Sequence, residues 1–462
     1  MARGKGREER KRREEQPQIL NKSALQNIIT VYNCRKNGMS SIKPALGIRG
    51  ELVSRFFRYA AIESQSNAAS THLPSSPGQL ELARLLAQEM RDLGVGNVIV
   101  DAHAIVTGVK RGNCPAVPRI GFIAHLDTVD VGLSPVIRPQ IKRFDGSDLC
   151  LNPGQNIWLR IADHPEILAW HDEDIIVSDG TSVLGADNKA AIAIIMTLLA
   201  RLEPSKPHGD IFIAFVPDEE IGLRGARALD LERFGCDFAY TIDCCAPGEV
   251  VVENFNAASG EIIFTGISAH PMSAKGVLVN PLLMALDFIA HFDRNDTPEY
   301  THKREGYFWF KDLVANESEA RLEVMIRDFD KDTFERRKQR IGDVADLVRS
   351  QHPAGSVQYQ VADTYHNIGD CLQGDNRSAD LLFRALDRLG IEKNLIPMRG
   401  GTDGAALSAR GLPTPNFFTG AYNFHSRFEF LPVSAFEKSY KTALTLCTLA
   451  VEHGSVNLTS KG

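Results

Sequence analysis

Residues 186–220 read ADNKAAIAIIMTLLARLEPSKPHGDIFIAFVPDEE, a helical pattern that is followed at once by an apolar strand. The first part, 186–202, has the period and length of a buried helix, and IFIAFV at 211–216 is typical of a buried strand. A second strand of the same character, within PRIGFIAHLDTV at 118–129, precedes them. Strands that alternate with helices predict an α/β fold, a mostly parallel sheet with helices on both faces.

The flanking segments extend this pattern in both directions. Helices are predicted at 51–64, 80–94, 377–390 and 433–454, strands at 97–109 and 238–244, and loop and strand at 400–420. From about 254 to about 363 the order becomes strand, helix, strand, helix, strand, which is typical of a small α+β unit. We therefore predict a catalytic domain formed by residues 51–253 and 364–462, interrupted by an inserted α+β domain at 254–363.

Residues 1–50 differ in composition and periodicity from the rest of the chain. They contain the charged run RKRREE at 10–15 and then a weakly periodic stretch. Such a run can be a tail that binds nucleic acid or a partner, but it is more often a solvated extension. We expect a poorly ordered N-terminal extension that carries no chemistry.

The bulk composition is that of an ordinary globular protein. The 462 residues are 43% hydrophobic and 24% charged, and the formal net charge of -6 offers no electrostatic argument for nucleic acid or anionic membrane as partner. No apolar run approaches the roughly 20 residues of a membrane span, and no apolar segment follows the basic N-terminus. The eight cysteines show no CxxC pair. We expect a cytoplasmic protein without a disulfide framework.

Histidines and carboxylates recur at the ends of successive predicted strands or in the loops after them: His125, Asp127, Asp187, Glu219, Glu220, Asp243 and His425. Most of them have an ordinary alternative. His125 and Asp127 can form a structural pair, and Asp187 can be a helix N-cap. Glu219 and Glu220 can be a solvated pair in a loop, and His425 can be an isolated surface or core histidine. In a doubly wound sheet, however, ligands bind outside the carboxyl ends of the strands, so these side chains can converge on one crevice.

The residue types in this set favour a pair of metal ions. Two histidines and three carboxylates suit borderline metals such as Zn²⁺, with one carboxylate bridging, whereas Ca²⁺ and Mg²⁺ sites more usually lack histidine. His125 and Asp127 are two residues apart in a strand and face the same way, which suits an imidazole ligand oriented by a carboxylate. Glu219, beside a ligand Glu220, can act as the general base in metal-assisted hydrolysis of an amide.

With these residues in order, the chain resembles peptidase T, the tripeptide aminopeptidase group of the co-catalytic-zinc metallopeptidase family that includes acetylornithine deacetylase and glutamate carboxypeptidase. The resemblance runs from about 51 to about 452. The motifs HxDT, GADxK and DEExG mark the wider family. Four longer motifs are similar to the peptidase T branch: ENFNAAS at 253–259, HPMSAKGVLVN at 270–280, IRDFD at 326–330 and RGGTDGAALS at 399–408.

The resemblance implies a role for each site residue. His125 and Asp243 would hold one ion, Glu220 and His425 the other, and Asp187 would bridge them. Asp127 would orient His125, and Glu219 would be the base. His270, in a smaller domain that dimerises, would steady the oxyanion in its own or the partner's site. Substrate contacts would come from Arg327, which would bind the substrate's carboxylate, and from Arg399, Asp403 and Asn254.

The implied activity is removal of the N-terminal residue of short peptides, preferably tripeptides, by water that two divalent ions activate. Zn²⁺ is expected, with Co²⁺ or Mn²⁺ as alternatives, and the protein is expected to be a homodimer. A related dipeptidase or N-acyl amino acid deacylase would use the same metals, and a non-catalytic binding protein of the same fold is a third reading. Asn188 and Cys244–Cys245 depart from the family pattern, so the substrate preference stays open.

Overall fold

The computed structural model describes residues 47–203 and 205–459, with the side chains of the last helix described as far as Glu452. The predicted extension at 1–50 therefore lies outside the described residues up to position 46. Its last residues, from Ile48, already belong to the first described helix.

Helices and strands alternate along most of the described chain. The helices are α1 Ile48–Ala60, α2 Pro77–Asp92, α3 Ala186–Arg201, α4 Arg224–Ala228, α5 Leu231–Phe234, α6 Pro281–Ala290, α7 Lys331–Gln351, α8 Ile368–Leu372, α9 Arg377–Leu389, α10 Asp403–Ser408 and α11 Val433–Thr459, with 3-10 turns at Pro165–Trp170 and Pro271–Ser273. The strands are β1 Gly96–Val100, β2 Val106–Lys110, β3 Ile120–His125, β4 Gln140–Phe144, β5 Leu149–Asn152, β6 Ile157–Leu159, β7 Glu173–Val177, β8 Ile211–Val216, β9 Phe238–Cys244, β10 Glu249–Val251, β11 Asn256–Thr265, β12 Tyr307–Ala315, β13 Glu319–Asp328, β14 Ser356–Tyr365, β15 Asn394–Leu395, β16 Asn416–Phe418 and β17 Phe430–Pro432.

The largest sheet has eight strands in the order β1-β2-β8-β3-β9-β16-β10-β15. Its centre is parallel, since β3 pairs in parallel with both β8 and β9, and β9 pairs in parallel with β16. Strands β1 and β2 add an antiparallel edge. The carboxyl ends of β3, β8 and β9 therefore open on the same edge of the sheet.

Apolar side chains of β3 alternate between two cores, one on each face of this sheet. Phe122 and Ala124 join the larger cluster with residues of α1, α3 and α11, whereas Ile123 joins a second cluster with residues of α4 and α10. A strand buried on both faces explains why GFIA shows no polar alternation. The predicted α/β fold with helices on both faces is confirmed.

A separate antiparallel sheet is built from the chain between Asn256 and Tyr365, in the order β12-β13-β11-β14. Helices α6 and α7 pack on it around a core that includes Phe264, Phe288 and Val344. The chain leaves the main sheet after β10, builds this unit and returns to α8 after β14. This smaller α+β unit interrupts the chain that forms the main sheet.

Two local features differ from the sequence-based expectation. The segment 400–420, predicted as loop and strand, contains the six-residue helix α10. Residues 140–177, for which no elements were predicted, form β4 to β7, which build an antiparallel sheet with β17 and a two-stranded sheet of β5 and β6. Among the described residues, no helix combines the length and apolarity that crossing a membrane requires.

Candidate active site

The predicted metal ligands lie together at the carboxyl edge of the main sheet. His125 is the last residue of β3, Glu220 follows β8, and Asp243 is the penultimate residue of β9. Asp187 begins α3 with non-helical dihedral angles, and His425 lies in the loop between β16 and β17. The chain thus brings five side chains from five separate segments to one place.

Asp187 is at the centre of this cluster. Its Oδ1 lies 2.9 Å from Nε2 of His125, and its Oδ2 lies 3.1 Å from Nε2 of His425. The same imidazole nitrogen of His425 is 3.0 Å from Oε1 of Glu220, and Nε2 of His125 is 3.8 Å from Oδ1 of Asp243. Asp187 is therefore not simply a helix N-cap, because each of its oxygens contacts a different histidine.

Asp127 is fully buried and links the first histidine to the loop after β8. Its Oδ1 is 3.3 Å from Nδ1 of His125 and also accepts a hydrogen bond of 3.0 Å from the backbone N–H of Glu219. Its Oδ2 accepts a second, of 3.2 Å, from the backbone N–H of Glu220. One carboxylate thus contacts a predicted ligand and fixes the backbone of the predicted base.

Asn188 and Asn416 support Asp243, and the sequence alone indicated a role for neither. The amide of Asn188 donates to Oδ1 of Asp243 at 2.7 Å and to the carbonyl of Ile242 at 2.8 Å. The backbone N–H of Asp243 donates to Oδ1 of Asn416 at 2.7 Å. Asn188 therefore contributes a neutral hydrogen-bond donor beside Asp243.

Burial raises the pKa of several of these carboxyl groups. It raises the pKa of Glu219 well above its usual range, and neighbouring carboxylates, Asp403 first, raise it further. Burial also raises the pKa of Glu220 to about 7, that of Asp403 to about 7, and that of Asp243 well above its usual range. So many buried acids are costly unless a cation compensates them.

The pKa values of the two histidines are raised and the pKa of Asp187 is lowered, so all three groups favour their charged forms. Contacts with Asp187 and Glu220 raise the pKa of His425 to about 10. Burial would lower the pKa of His125, but Asp127 and Asp187 outweigh it and the pKa rises well above its usual range. Burial would raise the pKa of Asp187, yet its hydrogen bonds with the two histidines lower it. With raised pKa values, the two imidazoles favour the protonated form, which supplies positive charge that a bound cation would otherwise supply.

The donor set fits a divalent cation. Ligand atoms of His125, Asp187 and Glu220 all lie within 4.8 Å of one another, and imidazole nitrogen with carboxylate oxygen is a combination that transition metals prefer. Metal binding would require the imidazoles to be neutral and the carboxyl groups ionised, so an ion would replace the shared protons.

A cavity of about 380 Å³ opens over the cluster. It is lined by Asp187, Glu219, Glu220, Gly222, Leu223, Arg227, Asp243, Thr364, Tyr365, Met398, Gly401, Phe424 and His425. Thr364 and Tyr365 belong to the end of β14, so the smaller unit contributes to its wall. Sequence analysis singled out neither Arg227 nor Tyr365, because both become significant only through the fold.

The predicted substrate residues lie around this cavity rather than among its lining. Arg327 is buried, donates to the carbonyls of Ala258 and Ile326, and lies 5.4 Å from the ring centroid of Tyr365. Arg399 donates to the carbonyl of Glu305 at 2.9 Å. Their guanidinium groups therefore already bond to the protein itself.

The three remaining predicted residues have different surroundings. Asp403 is buried at the start of α10, and its Oδ1 has no hydrogen-bond partner among the described residues. The side-chain amide of Asn254 donates to the carbonyls of Phe255 and His366 and accepts from the backbone N–H of Ile368. His270 is exposed on a 3-10 turn of the smaller unit, and the cavity-lining residues named above do not include it.

Comparison with curated proteins gives long, near-complete matches. A peptidase T-like protein of Rhizobium meliloti (strain 1021) is 69% identical over 403 residues, covering 87% of this chain and 99% of that protein. A peptidase T-like protein of Yersinia pestis is 58% identical over 407 residues, with coverages of 88% and 99%. Peptidase T of Desulfitobacterium hafniense (strain DSM 10664 / DCB-2) is 40% identical over 407 residues, with coverages of 87% and 99%.

Solved structures show the same fold at lower identity. Aminopeptidase PepT from Bacillus cereus ATCC 10987 superposes with a TM-score of 0.70 at 22% identity, covering 88% of this chain and all of that one. A dinuclear metal-binding peptidase from Bacillus subtilis gives a TM-score of 0.57 at 15% identity, with coverages of 88% and 99%. The resemblance to peptidase T is confirmed by the curated relatives. Because the profile of peptidase family M20/M25/M40 also matches residues 184–448, the chain belongs to that family.

Proposed function

We propose that the protein is a metal-dependent aminopeptidase that hydrolyses the N-terminal peptide bond of short peptides, preferably tripeptides. The observation that carries the proposal is Asp187, whose two oxygens each contact a different imidazole beside Glu219 in one cavity. Relatives named peptidase T that are about 40% identical over nearly their whole length support the same assignment.

In the proposed site, His125 and Asp243 would hold one divalent ion, Glu220 and His425 would hold a second, and Asp187 would be shared by both. The nitrogen and oxygen donors favour Zn²⁺, with Co²⁺ or Mn²⁺ as alternatives. When bound, such ions polarise the carbonyl group of the scissile bond and make water a stronger nucleophile at neutral pH.

Glu219 is the proposed general base. Its carboxyl group lines the cavity, and the hydrogen bond from its backbone N–H to Asp127 fixes its position. Nearby cations would keep its carboxyl group ionised despite its burial. In that form it accepts a proton from the attacking water as the water oxygen bonds to the carbonyl carbon. It then gives that proton to the leaving amine as the C–N bond breaks.

A cavity of limited size, about 380 Å³, favours a short substrate. Arg327, Arg399, Asp403 and Asn254 stay proposed substrate residues. Arg327 lies behind Tyr365 and can act on the substrate through that ring or after a movement of the smaller unit.

The test is a substrate panel with the purified, metal-loaded protein. Free di-, tri- and tetrapeptides are compared with the same peptides acetylated at the N-terminus, and the metal content is measured by elemental analysis. We expect fastest release of the first residue from free tripeptides and refusal of the acetylated ones. Hydrolysis of the acetylated peptides would favour a deacylase or related dipeptidase. A metal-loaded protein that cleaves none of them would leave only a binding function.

We also propose a homodimer formed through the smaller unit. One side of α6 packs into the core through Met284, Ala285 and Phe288, whereas Leu283 and Leu286 are exposed. The neighbouring turn adds Met272, which is 90% exposed. Several exposed apolar side chains on one small unit are typical of a protein interface, so a second copy of the chain is the partner we propose.

A cytoplasmic location is proposed as well. The seven cysteines in the described part of the chain are all unpaired, and Cys244 and Cys447 are buried. Free thiols in this number are typical of a reducing compartment, whereas small secreted proteins use cysteines as disulfides.

A further inference from the structure

Glu429 is a buried carboxylate that no sequence pattern singled out. It is 1% exposed. Its Oε2 accepts hydrogen bonds of 2.8 Å from the backbone N–H groups of both Leu184 and Gly185. Its Oε1 accepts one of 3.1 Å from the backbone N–H of Asp187. Both oxygens therefore accept hydrogen bonds from a single turn of backbone, the turn that presents Asp187 to the two histidines.

The conformation of that turn makes such a partner necessary. Gly185 has a φ of +70°, and Asp187 departs from helical dihedral angles although it lies at the start of α3. N–H groups at the beginning of a helix have no partner within the helix, and they favour negative charge. Without Glu429, three backbone N–H groups in a buried turn would lose their acceptor.

The backbone of Glu429 belongs to the loop that carries His425. Tyr422 and Phe430 exchange two backbone hydrogen bonds, of 2.9 and 3.1 Å, which close this loop. The backbone N–H of Glu429 donates to the carbonyl of Ser426 inside it. A single side chain therefore ties the loop of one histidine to the turn of the central aspartate, across 242 residues of sequence.

We propose that Glu429 is a positioning residue that holds Asp187 and His425 at the separation at which they can share a metal ion. The proposal rests on the metal site proposed above. Glu429 would act on the ion only through the backbone of a ligand. Residues that orient metal ligands in this indirect way typically change metal affinity by about 10-fold to 100-fold when they are replaced.

The experiment compares Glu429→Gln with wild type and with a matched variant, Glu89→Gln. Glu89 is also a buried carboxylate, but it accepts from Tyr59 at 2.7 Å and Arg55 at 2.9 Å in the α1 and α2 pair. The metal-free full chain is titrated with Zn²⁺ alone in competition with a chromophoric chelator. We expect Zn²⁺ to bind Glu429→Gln about 10-fold to 100-fold more weakly than wild type, and Glu89→Gln with wild-type affinity.

Two further measurements separate positioning from a general loss of stability. Thermal unfolding of the metal-free proteins should show that Glu89→Gln is destabilised without a loss of affinity. Visible absorption of the Co²⁺-substituted proteins should change in Glu429→Gln alone, because the bands report ligand geometry. If Glu429→Gln does not fold, Glu429→Asp keeps the carboxyl group but shortens the side chain, and we expect weakened Zn²⁺ binding from it too.

The outcomes are distinguishable. Zn²⁺ affinity in the folded Glu429 variant equal to that of wild type would overturn the positioning role and leave the metal site standing. An equal loss of affinity in Glu89→Gln would also overturn it, since any buried defect would then suffice. A wild-type protein that binds no Zn²⁺ would overturn the metal site itself, and this role with it.

Discussion

At the scale of single residues, Asp187 and Glu219 have separate roles in the proposed site. Asp187 contacts two imidazoles, and the raised pKa of His425 shows how strongly the cluster favours positive charge. Glu219 lines the same cavity, and no contact ties its carboxyl oxygens to either histidine among the described residues. It is therefore the acid that remains available to a substrate.

Replacing Glu219 with glutamine tests this division. The amide keeps the shape of the side chain but cannot accept and return a proton, so we expect turnover to fall by about 10²-fold to 10⁴-fold while the bound metal is retained. Steady-state kinetics with a free tripeptide and elemental analysis give the two values. Glu437→Gln, which removes a carboxylate paired with Arg49 away from the site, should behave as wild type. Normal turnover in Glu219→Gln would remove Glu219 from its role.

The pKa values at the site predict that metal uptake releases protons. The pKa of His425 is raised to about 10 in the metal-free protein, so its imidazole is protonated at pH 7 and must become neutral to bind an ion. Metal affinity should therefore rise with pH up to that value. Calorimetric titration with Zn²⁺ in two buffers of different ionisation enthalpy measures the release. The exposed His171→Ala should not change it, and identical heats in both buffers would contradict it.

At the scale of elements, long apolar elements could be predicted from sequence and very short elements could not. The helix at 186–202 and the strand at 211–216 are found within a residue or two as α3 and β8. Strands β5 and β6, by contrast, have four and three residues, and helix α10 has six. Segments this short do not complete enough periods for a pattern to stand out.

In the candidate site too, some residues could be predicted from the sequence and others could not. The ligands predicted from the carboxyl ends of strands do meet, because topology alone brings those ends to one edge. The supporting contacts of Asn188, Asn416 and Glu429 could not be predicted, since each pairs with backbone or side chains far away in sequence and leaves no local pattern. The position of Glu429, four residues after His425, was the one feature of the sequence that could have pointed to it.

The start of α2 offers a prediction for an element as a whole. A Cβ added at Gly78 would lie 1.6 Å from the carbonyl oxygen of Glu63, so only glycine lets α2 cross the chain at this point. We expect Gly78→Ala to destabilise the fold by about 2 kcal/mol or more, because backbone must move to admit the methyl group. Thermal unfolding measures the loss. A Cβ added at Gly47 would meet no atom of the described residues within 4 Å, so Gly47→Ala should leave stability nearly unchanged.

At the scale of the whole molecule, the main sheet and the smaller unit share one cavity. Glu219 and Arg227 come from the main unit, and Thr364 and Tyr365 come from the last strand of the smaller one. Arg227 donates a hydrogen bond to the carbonyl of Thr364 across this boundary. The position of the smaller unit therefore sets the shape of the substrate space, and a dimer built through that unit would influence catalysis directly.

His270 provides the test of that influence. It is exposed on the smaller unit and does not line the cavity of its own chain, as far as the described residues show. If it acts in the partner's site, a Glu219→Gln subunit can still lend its histidine to a His270→Ala subunit, whose own base is intact. The two variants, each expected to be weakly active alone, should then regain activity when they are co-expressed with different tags and purified as a mixed dimer.

The measurement is the tripeptidase rate of the mixed dimer against the two parent dimers, with the dimer itself verified by light scattering. Restoration should be lost when Leu283→Glu is added to both chains, because a charge in the apolar face of α6 separates the subunits. Leu395→Glu alters an equally exposed leucine outside the smaller unit and should leave restoration intact. A mixed dimer no faster than its parents would place His270 at its own site or at none, since no other arrangement leaves both defects uncorrected.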